Sequence, residues 1–334
     1  MYKYEEIKSV HLELTERCQA ACPMCARTDN PHMKNNELSL ENIKKIFPVD
    51  FLKQLNFITI CGNFGEPIVA RDFLSIVDYF KSAKYKIGLH INTNAGARDD
   101  TFWEELALML NDGTSTVNFG IDGLEDTNHI YRVNVKWDRL MNSAKTFIKN
   151  GGRARWDYLI FDHNKHQLIE AQKLSKELGF ESFRPKKSSR FATQSNYTIP
   201  NHIKQPDEYI NDAGEKYSNS TNENFFDEVP ISCKVKNKKQ IYISAEGLLL
   251  PCCWIGQRLY SKTNKDYKDD QVWDYIQDKS KIDAKIYSIK EIMETDFLNN
   301  IEKSWTINSI KQGKLKTCAI TCNINFDLFG SQFT

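Results

Sequence analysis

Residues 14–28 of the chain read LTERCQAACPMCART, and they place Cys18, Cys22 and Cys25 within eight residues. Three thiols at this spacing are an unusual set, because disulfides use cysteines in pairs and a closed structural zinc site usually has four ligands. The pattern therefore predicts a metal centre with one coordination position left open. A zinc site completed by a remote ligand and a set of buried free thiols are the alternatives.

The composition of the chain excludes several classes of partner. The 334 residues are 40% hydrophobic and 27% charged, and the formal net charge is +1. Such a chain can bury a large core, but it has no overall field that would attract nucleic acid or an acidic membrane. No secretory signal is visible at the N-terminus, and no apolar segment approaches the roughly 20 residues that span a bilayer. The sequence predicts a soluble, cytoplasmic protein without a nucleic-acid or membrane partner.

The nine cysteines are unevenly distributed along the sequence. After the first three comes Cys61, and a second group follows much later, at Cys233, Cys252, Cys253, Cys318 and Cys322. Cytosolic thiols are kept reduced, so disulfides are not expected. Two groups so far apart favour two metal sites over scattered core residues.

Strand-like and helical segments alternate over residues 1–187. The strand-like segments are VHLELT, NFITIC, IGLHIN, TVNFGI, ARWDYLIF and ESFRP, which begin at residues 10, 56, 87, 116, 154 and 181. Helical patterns lie between them, the first of them with Ser39 as a plausible N-cap. The alternation predicts an α/β fold in which parallel βα units curl into a partial (β/α)6 barrel similar to a TIM barrel. Chemistry in such barrels is placed at the C-terminal ends of the strands.

The remainder of the chain has a different composition. Residues 188–230 are polar and without periodicity, which predicts a linker. Residues 231–334 are expected to form a small second domain. It contains a β-hairpin in QIYISAEGLLLPCCW, with its turn at Glu246–Gly247, and the amphipathic segment YSIKEIMETDFLNNIEKSW.

The spacing Cys18-x3-Cys22-x2-Cys25, directly after a first strand, resembles the radical S-adenosylmethionine (SAM) superfamily. The resemblance implies a [4Fe–4S] cluster with three thiolate ligands, whose fourth iron binds the amino and carboxylate groups of SAM. It also implies that one electron cleaves this cofactor to a 5′-deoxyadenosyl radical, which takes a hydrogen atom from a substrate. Met24 stands where the family usually has an aromatic residue whose backbone lies near the adenine.

Two further segments at predicted strand ends support the resemblance. Gly65-Glu66-Pro67 resembles the family's GEP element, which meets the amino group of the cofactor and in which glycine permits a close approach. Thr93-Asn94 resembles the TNG-type element near the ribose, and Ala95 replaces the usual glycine. A strand-end cap is the alternative role for Asn94.

The segment FGIDGLEDTNHIYR, residues 119–132, is similar to one found in the SPASM/twitch subgroup of the family. Asp122 and Arg132 match its aspartate and arginine positions, whereas Gly120 stands where serine is common. The resemblance implies that Arg132 pairs with the methionyl carboxylate of the cofactor, a contact for which a guanidinium is suited. A structural turn with a surface ion pair is the alternative.

The second group of cysteines resembles the auxiliary domain of that subgroup. Cys233 and Cys252 bracket the hairpin, Gly247 precedes Cys252, and Cys318-x3-Cys322 follows. A full SPASM domain has seven cysteines. This tail has five, and four remain when Cys253 is set aside because it adjoins a ligand position. The resemblance implies the shortened twitch form, with one auxiliary [4Fe–4S] cluster on Cys233, Cys252, Cys318 and Cys322. A four-cysteine zinc site is the alternative.

Cys61 and Cys253 are candidates for donating a hydrogen atom to a substrate radical, because an S–H bond is weak. Small buried hydrophobes are their alternative role. A basic run, RPKKSSR at residues 184–190, follows the sixth predicted strand. It is expected to be either a solvated loop or a grip for a phosphate or carboxylate.

The sequence predicts a radical SAM oxidoreductase or epimerase that acts on a small polar molecule, such as a sugar, a cyclitol or a nucleotide-linked metabolite. An electron donor such as flavodoxin or ferredoxin is the expected partner. A peptide maturase is the first alternative, although only 17 residues precede Cys18, where such enzymes usually carry a leader-binding module. A non-catalytic metal-binding scaffold is the remote alternative.

Overall fold

A single sheet organises the computed structural model, which describes residues 1–188, 190–191, 199–206, 226–262 and 264–324. Its strands are β1 Ser9–Leu12, β2 Phe57–Ile60, β3 Gly88–Thr93, β4 Thr116–Gly120, β5 Ala154–Ile160, β6 Ser182–Lys187, β7 Gln240–Ile243 and β8 Leu249–Leu250. They lie in the order β6-β5-β4-β3-β2-β1-β7-β8. Every pairing is parallel except that of β7 with β8. The six predicted barrel strands and the hairpin are confirmed.

Helices connect the parallel strands and cover one face of the sheet. They are α1 Leu40–Ile46, α2 Val49–Gln54, α3 Phe73–Ala83, α4 Asp100–Met109, α5 Asn128–Tyr131, α6 Trp137–Lys149 and α7 Leu168–Glu177. Ser39 caps α1 as predicted, since its hydroxyl accepts the Asn42 amide at 3.2 Å and the Asn42 side chain accepts the Ser39 amide at 3.2 Å. The fold is therefore the expected α/β arrangement of a partial (β/α)6 barrel.

The main core lies between the sheet and these helices. Trp103 of α4 and Phe147 of α6 both pack against Phe119 of β4, with ring centroids 5.5 and 5.9 Å from it. Along β5, Trp156 points into this core, whereas the alternating side chain Asp157 is only half-buried and lies on the opposite face. The opposite face of the strands encloses a polar cavity.

Strand β6 is longer than the sequence suggested. The segment ESFRP was expected to end the strand at residue 185, with a basic loop after it, but pairing with β5 continues to Lys187. Pro185 is compatible with this position because β6 is an edge strand of the described sheet. Arg184 and Lys186 are thus strand residues and not loop residues.

The C-terminal part extends the barrel sheet. It comprises the hairpin strands and the helices α8 Lys234–Asn237, α9 Cys253–Arg258, α10 Val272–Ile276, α11 Ile289–Met293, α12 Phe297–Lys303 and α13 Lys316–Thr321. Strand β7 pairs in parallel with β1, and Gly247 forms the hairpin turn at φ +93°. The amphipathic segment forms two helices, and where α11 ends the Thr295 hydroxyl donates to the Ile292 carbonyl at 2.7 Å.

The predicted linker, residues 188–230, is described only in part, since residues 189, 192–198 and 207–225 lie outside the described residues. Phe191 and Ile203 are buried, and the Lys204 carbonyl accepts the Asp162 amide at 3.0 Å, so these parts lie on the barrel. The division into domains at 187 and 231 remains a prediction. Among the helices that the structure describes, none is both long and apolar enough to cross a membrane.

Candidate active site

The three-cysteine loop follows β1 at the C-terminal end of the sheet. Cys22 is buried and Cys18 and Cys25 are half-buried, while Met24 between them is completely buried. The Cys18 Sγ accepts the Ala20 amide at 3.4 Å and the Asn94 side-chain amide at 3.6 Å. The loop is therefore held both by its own backbone and by the end of β3.

The spacing of these thiols bears on the kind of metal centre that they fit. Within the described ranges, no three His, Cys, Asp or Glu side chains are grouped closely enough to hold one metal ion. Thiolates on a single tetrahedral zinc ion lie about 3.8 Å apart, because each Zn–S bond is about 2.3 Å. The cysteines of a cubane bind different irons and stand farther apart. A zinc ion would therefore require the three thiols to lie closer together than a cubane would.

The Gly65–Pro67 loop packs directly onto the segment that leads into Cys18. A Cβ on Gly65 would lie only 1.6 Å from the Thr15 carbonyl oxygen, so a side chain is excluded by the backbone itself. The Glu66 amide donates to the Arg17 carbonyl at 2.8 Å. Glycine is therefore required here for the contact between two backbone segments.

Glu66 is buried and joins this loop to the end of β3. Its carboxylate accepts the Asn94 amide at 2.7 Å and the Ile68 amide at 3.5 Å. Burial raises the pKa of Glu66 to about 7, although the hydrogen bonds from Asn94, Thr93 and Ile68 oppose the shift. Glu66 also interacts electrostatically with Cys18 of the cysteine loop.

Thr93 and Asn94 fix the turn after β3. The Thr93 hydroxyl accepts the Ala95 amide at 2.9 Å, and the Asn94 side-chain oxygen accepts the Gly96 amide at 2.9 Å and the Gln19 side chain at 2.5 Å. Ala95 has a φ of +50°. This left-handed conformation explains physically why a glycine would suit the position.

Asp122 and Arg132 form an ion pair at the end of β4. The Asp122 side chain is fully buried, its Oδ2 lies 2.7 Å from Arg132 Nε, and its Oδ1 accepts the Leu159 amide at 2.7 Å. Burial raises the pKa of Asp122, and the Arg132 charge counteracts this. The pair is therefore not a surface ion pair, since the buried Asp122 carboxylate holds the guanidinium of Arg132 through its Nε.

Gly120 departs from the family pattern in a way that this geometry explains. A Cβ at residue 120 would lie 2.5 Å from Arg132 Nη2. The guanidinium thus occupies the space in which a serine side chain would stand. Arg132 also interacts electrostatically with Cys22 and Glu66, so it faces the cysteine loop.

A buried carboxylate, Glu13, was not identified from the sequence. Its side chain accepts the hydroxyl of Tyr242 on β7 and the Phe64 amide at 2.8 Å. Asn63 donates to the Tyr242 hydroxyl at 3.1 Å and to the Cys253 carbonyl at 2.8 Å. The network joins β1, the Gly65 loop and the C-terminal part. The only local signal for Glu13 in the sequence was its place as a charged residue at the end of an apolar strand.

A cavity of about 1060 Å³ lies between the barrel strands and the C-terminal part. The inward-facing side chains of β1 to β6 line it, and so do residues of α9, α10 and α13. Cys61 and Cys253 both line this cavity, and they interact electrostatically with each other. The structure thus brings the two candidate hydrogen-atom donors together.

The four remaining candidate ligands line one small cavity at the other side of α9, namely Cys233, Cys252, Cys318 and Cys322. All four are buried. Backbone N–H groups donate hydrogen bonds to the thiols of Cys233, Cys252 and Cys322. Cys233 and Cys252 stand at the N-termini of α8 and α9. Burial raises the pKa of the Cys252 and Cys318 thiols, and the backbone N–H groups at Cys252 oppose this shift.

Residues 12–174 match the Radical SAM superfamily. The chain carries a radical SAM domain. The matched range includes the cysteine loop, Glu66, Asn94 and the Asp122–Arg132 pair. The resemblance identified from the sequence is therefore confirmed for the superfamily. No curated protein matches the sequence.

Solved structures of radical SAM proteins share this fold. Streptococcus suis SuiB bound to S-adenosylmethionine is 18% identical, with a TM-score of 0.56 over 93% of this chain and 77% of that chain. A second Streptococcus suis SuiB structure is also 18% identical, with a TM-score of 0.53. That match covers 75% of the present chain and 61% of the SuiB chain, so the present chain spans less than two thirds of SuiB. Native anSMEcpe with bound AdoMet is 13% identical, with a TM-score of 0.53 over 93% of this chain and 90% of that chain. At these identities the likeness shows the fold of the radical SAM domain and its C-terminal extension.

Proposed function

We propose that the protein cleaves SAM reductively at the three-cysteine loop and dehydrogenates or epimerises a small polar substrate in the central cavity. The observation that carries this proposal is the meeting of Glu66, Asn94 and Arg132 around Cys18 and Cys22, at the C-terminal end of the barrel. A sugar, a cyclitol or a nucleotide-linked metabolite is the substrate class that a polar cavity favours.

Each residue of this group has a role that follows from its charge and position. Cys18, Cys22 and Cys25 would hold the cluster. Glu66 would accept the cofactor amino group, and Arg132 would pair with its carboxylate. When bound, the cofactor and cluster supply a 5′-deoxyadenosyl radical that takes a hydrogen atom from the substrate.

Five uncharged residues would also contribute to the binding of the cofactor, through their backbone or their shape. Gly65 and Pro67 fix the backbone around Glu66, and Pro67 is buried at the start of a helical turn. Thr93 and Asn94 shape the turn that would meet the ribose. Met24 would present its backbone to the adenine.

We assign an auxiliary [4Fe–4S] cluster to Cys233, Cys252, Cys318 and Cys322, in a twitch-type C-terminal domain. Their convergence on one buried cavity, with backbone N–H donors to three of the four thiols, supports this assignment. Helix α9 carries Cys252 at its N-terminus and has Cys253 as its first residue, so it separates the proposed cluster from the central cavity. An electron leaving a substrate radical would have a short route to this cluster.

Cys61 and Cys253 decide between the two reactions within this proposal. An epimerase must return a hydrogen atom to the substrate radical, and both thiols face the cavity where that radical would form. A dehydrogenase has no need of such a donor. The double variant Cys61→Ala/Cys253→Ala should spare a dehydrogenase, but an epimerase should accumulate a quenched or trapped product.

Anaerobic reconstitution tests the proposal, with iron and sulfide counts and an assay for 5′-deoxyadenosine after addition of SAM and dithionite. We expect about eight irons per chain, half of which require the four C-terminal cysteines. Deoxyadenosine should disappear when Cys18, Cys22 and Cys25 are replaced by alanine. Flavodoxin or ferredoxin should replace dithionite as the reductant. Zinc without sulfide, and no cleavage of SAM, would contradict the proposal.

A peptide is the second candidate substrate. It is favoured by the two similar structures that contain peptides, SuiB bound to the precursor peptide SuiA and anSMEcpe with the Cp18Cys peptide. Purification of the protein with a short peptide encoded nearby, and conversion of that peptide, would support the maturase. Conversion of a small metabolite alone would contradict it.

A further inference from the structure

The two outermost barrel strands carry charge on the side that faces the central cavity. Arg155 and Asp157 of β5 line the cavity together with Arg184 and Lys186 of β6. The interior of a (β/α) barrel is more commonly filled by branched apolar side chains. Four charged residues at neighbouring positions are therefore not explained by the packing of the barrel interior.

The part of the lining that the structure describes has an excess of positive charge. Among the described residues that line the cavity, eight are Lys or Arg and four are Asp. The complete chain is almost balanced, with 45 Lys and Arg against 44 Asp and Glu. A cavity with such an excess concentrates ligands of negative charge, because its walls reduce screening by water.

Asp157 arranges the two cations of β6. It lies opposite Arg184 in the strand register, and its Oδ1 accepts Arg184 Nε at 2.6 Å while its Oδ2 accepts Lys186 Nζ at 3.0 Å. All three side chains are about one-fifth exposed, at 22%, 22% and 19%. Asp157 thus holds both cations in a fixed geometry, and the formal charge of the three side chains taken together is positive.

The middle strands present neutral polar groups to the same cavity. Asn118 of β4 donates to Asn92 of β3 at 2.6 Å. Its own side-chain oxygen accepts no hydrogen bond from the part of the chain that the structure describes. A buried acceptor in this condition favours a ligand that brings a donor, such as a hydroxyl group.

We infer that the substrate is a hydroxyl-bearing anion, and that Arg184 and Lys186 bind its phosphate or carboxylate group on the β5–β6 wall of the cavity. Asp157 is the positioning residue of this subsite. The inference rests on the proposed function, since it assigns the substrate class of the same cavity. It places the anionic group at one wall and directs the rest of the substrate towards Cys61 and Cys253.

Binding of two small anions to the reconstituted full-length protein tests the inference. Pyrophosphate represents a phosphate source and malonate a carboxylate source, and calorimetric titration at low ionic strength measures each affinity. We expect the wild type to bind at least one of them. Lys186→Gln and Arg184→Gln should each weaken that binding by tenfold or more. The better of the two probes identifies the class of anion.

Lys187→Gln provides the matched control. Lys187 neighbours Lys186 on the same strand, but it is exposed and does not line the cavity. Its replacement removes the same charge from the chain and should change the affinity less than twofold. Equal losses in the Lys186 and Lys187 variants, or no binding of either anion by the wild type, would overturn the inference.

The cleavage assay separates this inference from the proposed function. Deoxyadenosine formation without anion binding would contradict the substrate class alone. Anion binding that depends on Lys186, without any deoxyadenosine formation, would contradict the proposed function alone.

Discussion

The hydroxyl of Tyr242 on β7 donates a hydrogen bond to the buried carboxylate of Glu13, which directly follows β1. The other oxygen of that carboxylate accepts the amides of Phe64 and Gly65 at 2.8 and 3.2 Å. One acidic side chain thus connects the loop proposed to hold the cofactor with the strand that begins the C-terminal hairpin. Its protonation therefore affects how these two parts of the chain are held together.

Glu13→Gln should change how stability depends on pH. Burial raises the pKa of Glu13 from 4.5 to about 7, although hydrogen bonds from Tyr242, Phe64 and Gly65 oppose the shift. The folded state therefore binds the proton more tightly than the unfolded chain, and the Glu13 contribution to stability is present below pH 4.5 and lost as pH rises to 7. Relative to wild type, the variant should gain about 3 kcal/mol in its free energy of unfolding between pH 4.5 and pH 8.

Anaerobic chemical unfolding at several pH values measures this change. Glutamine can still accept the Phe64 amide and can donate to the Tyr242 oxygen, so the fold should be retained. Glu104→Gln, at an exposed position on α4, is the control for the replacement of a glutamate by glutamine. Parallel stability curves for wild type and Glu13→Gln would contradict the prediction.

Asp122→Asn should lower the free energy of unfolding, because it leaves the charge of Arg132 without its partner. Asparagine keeps the shape of the side chain and can still accept the Leu159 amide, but it removes the charge that compensates the guanidinium. Loss of one member of a buried ion pair costs about 3–5 kcal/mol, and we expect about 3 because Arg132 is 19% exposed. Chemical unfolding measures the loss.

A double variant distinguishes this cause from loss of shape. Asp122→Asn/Arg132→Met removes both charges and should recover about half of the stability lost by Asp122→Asn alone. Both variants should bind SAM more weakly than wild type, if Arg132 pairs with the cofactor carboxylate. Additive stability losses in the double variant would contradict the buried-pair explanation.

Cys61 should react slowly with thiol reagents at neutral pH. Burial raises the pKa of Cys61 to about 11, with a smaller opposing effect from the Asn92 side chain. Only the thiolate reacts, so the rate of alkylation by iodoacetamide should rise about tenfold from pH 8 to pH 9. At pH 8 this rate should be over a hundredfold lower than the rate for glutathione. Peptide mass spectrometry of the reconstituted protein follows this adduct, and Cys61→Ser identifies it. A rate that levels off below pH 9 would contradict a protonated thiol, which is the form that could donate a hydrogen atom.

Local patterns predicted much of the fold. Period-two and helical patterns located the barrel strands, Ser39 signalled the start of α1, and Gly247 signalled the hairpin turn, because each of these features depends on a few neighbouring residues. The cysteine spacing and the Gly65 loop likewise located the candidate site, since both are short motifs that the sequence alone displays. The end of β6 was missed, since Pro185 and the basic residues around it are more typical of a loop.

Contacts between distant segments could not be predicted in this way. Nothing near Glu13 indicates that its partners are Phe64 and Tyr242, because those contacts depend on how β1 pairs with strands from both ends of the chain. The sequence offered the basic run at residues 184–190 as a grip for a phosphate or carboxylate, but it did not show the partners of that run on β5. The alternation in ARWDYLIF shows which side chains share a face, but not that Asp157 meets Arg184 and Lys186 of the next strand.

Alanine at Gly65 should mainly lower stability, whereas alanine at Gly120 should mainly weaken the binding of SAM. In Gly65→Ala the new Cβ would meet the Thr15 backbone at 1.6 Å, and backbone cannot give way cheaply, so we expect a loss of about 3 kcal/mol or more. In Gly120→Ala the nearest atom is Arg132 Nη2 at 2.5 Å, the end of a flexible side chain. Stability should fall by less than about 1 kcal/mol, whereas SAM affinity should fall about tenfold because the guanidinium is displaced. Chemical unfolding and SAM titration of both variants measure the two effects, and unchanged SAM affinity in Gly120→Ala would show that Arg132 does not bind the cofactor.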